Sequence, residues 1–73
     1  MKPGELRRFK DNDQTRAYDK PGYVRIAGMV FMVTEAENAE PPCWVSFLID
    51  GNHMDHWVYD FVLGFSEPID ETG

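Results

Sequence analysis

Cys43-Trp44-Val45-Ser46-Phe47-Leu48-Ile49-Asp50-Gly51-Asn52-His53-Met54-Asp55-His56-Trp57-Val58-Tyr59 reads as a β-hairpin. Its first seven residues favour strands. Asp50-Gly51-Asn52 is turn chemistry, and Trp57-Val58-Tyr59 resumes the strand after His53, Met54, Asp55 and His56. On the first arm Val45, Phe47 and Ile49 share one face and Trp44, Ser46 and Leu48 the other. Strict alternation on the second arm puts Trp57 and Tyr59 on one face, and Met54, His56 and Val58 on the other. Two such strands in a chain of 73 residues predict a small antiparallel β domain.

Upstream, Pro3-Gly4 opens a turn and Glu5 to Lys10 follows as a short strand with Leu6 inward and Phe9 on the opposite side. Asp11 to Lys20 is polar, lacks apolar periodicity and ends at Pro21-Gly22, so it reads as a long loop. Asp11-Asn12-Asp13 opens like a calcium loop, but Arg16 and Gly22 stand where such a loop needs its glycine and its last glutamate. Tyr23 to Thr34 is the longest apolar stretch, and both of its parities are apolar. Its β-branched and aromatic content predicts a strand, with Gly28 allowing a bend or bulge. Apolar residues on both faces also fit a contact with a second copy. Glu35 to Pro42 is an acidic loop ending in a diproline. Asp60 to Gly64 fits one helical turn, and Phe65 to Ile69 a closing strand that Pro68 confines to an edge. The expectation is one domain over residues 1–73.

A chain this short hides only about 60% of its unfolded surface, so its core is thin. Cys43 is the only cysteine, which excludes an internal disulfide and suits a reducing compartment. One cysteine and two histidines do not make a structural zinc site, which leaves self-association as support. No apolar run approaches the roughly 18 residues that span a bilayer, and Met1 to Lys10 is charged. A cytoplasmic protein with no membrane contact is expected.

The net charge is −6 and unevenly spread. The first 25 residues hold all seven basic residues and four acids, for +3; the rest hold nine acids and no Lys or Arg, for −9. Either antiparallel strands bring the two parts together and neutralise them, or the surface is electrostatically two-faced.

Five strands, a bent second strand and a helical turn before the last make an all-β pattern. Lys2-Pro3-Gly4-Glu5-Leu6-Arg7-Arg8-Phe9, Gly28-Met29-Val30-Phe31-Met32-Val33, Phe47-Leu48-Ile49-Asp50-Gly51, Tyr59-Asp60-Phe61-Val62-Leu63 and Glu67-Pro68-Ile69 carry it. In that order the chain resembles the SH3-like and KOW-like small five-stranded barrels of tailed bacteriophages. The resemblance implies the fold and a viral origin (host cytoplasm) and assigns no catalytic residue. The chain lacks the Ala-Leu-Tyr-Asp-Tyr start of proline-binding SH3 domains. Its late loops are acidic, where KOW-like domains use basic ones.

His53-x-x-His56 with Asp55 is the one cluster with metal-ligand character, but a regular strand points the two rings to opposite faces. Cys43 reads as a small apolar packing residue in acidic surroundings that would not activate a thiol. No phosphate loop or paired-carboxylate motif occurs, so neither an enzyme nor a cofactor is expected. Tyr23, Phe31, Trp44, Trp57 and Tyr59 are the candidates for a surface that docks a protein partner or a second copy. Parity alone leaves open which of these rings are core. A second reading uses Arg7, Arg8, Lys10, Arg16, Lys20 and Arg25 as phosphate contacts to nucleic acid, against the acidic overall balance. A third has the acidic part imitate a polyanion and regulate a host nucleic-acid-binding protein.

Overall fold

The hairpin closes on a two-residue turn. Ile49 pairs with Asn52 around Asp50 (φ 50°) and Gly51 (φ 76°), the doubly left-handed turn that matches strand twist. A computed structural model describes residues 1–69. Five antiparallel strands form one sheet: β1 (Leu6–Phe9), β2 (Val30–Glu37), β3 (Trp44–Ile49), β4 (Asn52–Val58) and β5 (Ser66–Pro68), in spatial order β4-β3-β2-β1-β5. The expected all-β architecture is therefore present. Among the described residues no pairing joins β4 to β5, so the sheet stays open. α2 (Tyr59–Gly64) is the helical turn expected before the last strand. None of the described helices is long and apolar enough to cross a membrane.

The inner face of the sheet makes the core. Phe9, Phe31, Val33, Val45, Phe47 and Ile49 are buried, with Ile26, Tyr59 and Val62 packed on them. Phe9 stacks on Phe31 at 4.5 Å between ring centroids, and Phe47 lies 4.9 Å from Phe31. Such ring pairs stabilise beyond the area they bury.

Three expectations about register change. Phe9 and Arg7, rather than Leu6, face inward on β1. The arginine is tolerated there because its polar atoms are satisfied: Nε donates to Ser66 Oγ at 2.8 Å, Nη2 to the Ser66 carbonyl at 3.1 Å, and Nη1 meets Glu5 at 2.8 Å. Second, β2 starts only at Val30; Gly28 (φ 72°) sits in the bend before it, and the bulge falls between Val33 and Glu35. Third, β4 runs from Asn52 and carries a bulge. Val45 pairs with Trp57 and Phe47 with Met54, so Asp55 and His56 together oppose Ser46. His56 takes φ 52°, and its N–H donates to Ser46 Oγ at 3.1 Å. The extra residue brings Met54 and Trp57 to one face, where strict alternation separated them.

Both sheet edges are irregular. β4 has its bulge, and β5 is three residues ending in Pro68.

Candidate aromatic groove

The long connection between β1 and β2 is not a featureless loop. Asp13 to Arg16 forms a helical turn, α1, capped by Asn12. Thr15 N–H donates to Asn12 Oδ1 at 3.1 Å, and Asn12 N–H donates back to Thr15 Oγ1 at 3.0 Å. The same buried hydroxyl donates to the Lys10 carbonyl at 2.6 Å. These bonds satisfy backbone groups that a polar segment without strand partners would otherwise leave unpaired. Arg16 meets Asp11 at 2.6 Å and Arg25 meets Asp19 at 4.0 Å. The hydrogen bond from Arg16 holds the Asp11 carboxyl below its ordinary range and raises the Arg16 guanidinium in turn.

This connection delivers Tyr18 to the end of β4 and the side of α2. The Tyr18 ring lies 5.4 Å from Trp57, 5.8 Å from Phe61 and 6.2 Å from Tyr23, centroid to centroid. Trp57 in turn reaches the core, 5.3 Å from Phe47. Two depressions meet along the Tyr18–Phe61 ridge. One, of about 570 Å³, is bordered by Asp13, Gln14, Lys20 and Tyr23; the other, of about 350 Å³, by His56, Trp57 and Val58. Tyr23 is 56% exposed and Val58 65%, so the groove walls are open apolar surface. Lys20 Nζ sits 4.5 Å above the Tyr23 ring, a cation–π contact that steadies one wall.

Of the five rings singled out from sequence, Tyr23 and Trp57 line this groove. Phe31 (1% exposed) and Tyr59 (7%) are core and do not offer a docking surface. Their strand and helix positions turn them inward, and the Tyr59 hydroxyl takes bonds from the Met1 ammonium and Asn38 Nδ2. Trp44 is half-buried and does not line the groove; it packs behind His56, a groove border, at 4.1 Å between ring centroids. Sequence reasoning missed Tyr18 and Phe61. The available signal was two tyrosines in a stretch with no core periodicity, flanking Pro21-Gly22.

The six basic residues do not form one set. Arg7 is buried in its Ser66 and Glu5 contacts, and Arg16 and Arg25 pair with local acids. Arg8, Lys10 and Lys20 are exposed and have no carboxylate within ion-pair distance among the described residues. Neutralisation is thus local to the first 25 residues; no ion pair among the described residues joins them to the acidic remainder. His53 is held by Asp55 at 3.2 Å and Thr34 at 3.2 Å, and no group of three or more metal-ligating side chains converges among the described residues. Cys43 is half-buried against the core, its carbonyl accepting the Tyr59 N–H at 3.2 Å. Comparison with protein-family models, with curated proteins and with solved structures found no match to this chain.

Proposed function

We propose that this protein is a non-enzymatic interaction module, of the phage kind that the resemblance implies, which holds an extended apolar segment of a partner protein in the Tyr18–Trp57–Phe61 groove. The observation behind this reading is the Tyr18 ring, which touches both depressions and joins Trp57 of β4 and Phe61 of α2 to Tyr23 of its own connection. Large, stiff aromatic side chains give contact area at small entropic cost, which is why they dominate binding surfaces. The two depressions are open rather than enclosed and adjoin at Tyr18 and Phe61, so they suit successive side chains of one chain. Trp57 and Phe61 rest on the core and are preorganised, which lowers the ordering cost of binding.

A displayed library of random peptides, selected on the wild-type protein, tests the reading. Enriched peptides should shift Trp57 emission in a Trp44→Phe background and lose at least about tenfold in affinity, roughly 1.4 kcal/mol, on Tyr18→Ala. Failure to enrich any peptide, or binding indifferent to Tyr18→Ala and Tyr23→Ala, rules the groove out.

A further inference from the structure

The groove occupies one side of the molecule, and the outer face of the sheet is a separate surface. Leu6 pairs with Met32, and Met32 with Leu48, giving a row of three apolar residues across β1, β2 and β3. All three point away from the core, since Arg7, Phe31, Val33, Phe47 and Ile49 are the inward set. One step toward the hairpin turn the row is different. Arg8 pairs with Val30, and Val30 lies level with Asp50, the residue after Ile49, which pairs with Phe31. This second row therefore runs from the basic Arg8 through Val30 to the exposed, acidic Asp50 in the hairpin turn, just beyond the end of β3. Met32 (36% exposed), Leu48 (39%) and Val30 (41%) are open to solvent.

We infer that this face is the contact surface for a second copy of the chain, with a two-fold axis running along β2. The argument is symmetry. Rotation about a line parallel to β2 exchanges β1 of one copy with β3 of the other while keeping each level in register. Leu6 then meets the partner copy's Leu48, Met32 meets Met32, and Val30 meets Val30. Arg8 meets the partner copy's Asp50, and Asp50 meets its Arg8, so each charged corner is matched once and the pair occurs twice. An isologous contact needs this self-complementarity. Sheets stacked with near-parallel strands also pack in the aligned manner of β-sandwiches. Arg8 is available for it: among the described residues no carboxylate lies within ion-pair distance, although Glu67 is its neighbour on β5. Glu35, further along β2 and exposed, would approach its own copy and marks the end of the patch. The contact is therefore small, and it belongs with the weak interfaces below about 1,200 Å².

Sedimentation equilibrium at concentrations of order 1 mM, where weak interfaces associate, tests it directly. The wild-type weight-average mass should rise toward twice that of the chain. Met32→Glu, which sets two like charges on the axis, should weaken association at least about tenfold, and so should Val30→Lys if the first variant lost its fold. Arg8→Glu and Asp50→Arg should each weaken it, and the double variant should recover most of the loss. Tyr23→Ala, in the groove, should leave it unchanged. A wild-type protein that stays monomeric overturns the inference. So does association indifferent to Met32→Glu and Val30→Lys, a double variant no better than either single one, or loss of association on Tyr23→Ala. The peptide test of the groove is unaffected by any of these results.

Discussion

The β3–β4 hairpin and the β1–β2 connection meet at Trp57, yet they are held in different ways. The hairpin owes its form to alternating apolar side chains and a left-handed turn. Slipping its register by one residue would expose Val45, Phe47 and Ile49 together, so that register is strongly set. From Lys10 to Arg25 the connection fully buries only Thr15 and keeps its shape through Asn12, Thr15 and local ion pairs, before Ile26 anchors its end in the core. Hydrogen bonds of that kind contribute about 1 kcal/mol each, against roughly 1.5–3 kcal/mol for burying a large apolar side chain. The comparison teaches that the groove has one firm wall on the core and one wall free to adjust.

Phe47→Ala attacks the firm part. Phe47 is fully buried among Phe9, Phe31 and Trp57, and the change should cost about 3–5 kcal/mol, enough to unfold much of a core this thin. Urea unfolding followed by circular dichroism measures it, and both walls should melt together.

Thr15→Val attacks the adjustable part. It removes the hydroxyl that serves Asn12 and Lys10 while keeping the shape, at about 1–3 kcal/mol. Amide hydrogen exchange should quicken from Lys10 to Arg25 while β2 and β3 stay protected. Equal loss of protection in both regions would falsify the comparison.

The same two regions differ in how far the chain alone reveals them. The parity of Val45, Phe47 and Ile49 was legible because strands alternate strictly away from bulges. Beyond the Asp55–His56 bulge that rule broke, and Trp57 joined Met54 instead of leaving it. Arg7 was not legible as an inward residue, because the hydroxyl and carbonyl that accept its hydrogen bonds come from Ser66, far along the chain. Tyr18 and Phe61 escaped notice for a related reason: the groove joins a polar connection to a helical turn, and no periodicity links them. Of the candidate rings, composition supplied Tyr23 and Trp57, and burial removed Phe31 and Tyr59.

Gly51→Ala returns to the hairpin and should have a smaller effect. At φ 76° a side chain costs about 1–2 kcal/mol of backbone strain, with no atom within 4 Å of the added carbon to worsen it. A lower urea midpoint with an unchanged slope is the expected result.

The smallest effect is electrostatic and belongs to the connection. Asp11 is exposed, and its carboxyl is held below the ordinary range first by the hydrogen bond from Arg16. A depressed carboxylate contributes stability above its unfolded-state pKa, and that contribution is lost as pH falls through the lower folded value. An NMR titration should show Asp11 protonating below the ordinary carboxylate range, and Arg16→Gln should move its midpoint back up.

The irregular rims of the sheet have a consequence for how the molecule behaves in a crowded solution. A straight, unpaired strand is a template on which another chain can continue the ladder, and repetition of that step builds fibrils. Here one rim is kinked at Asp55 and His56, and the other is three residues long with an imino acid that has no proton to donate. Growth by strand addition is discouraged from both sides, so a flat apolar face can be displayed without opening a route to amyloid.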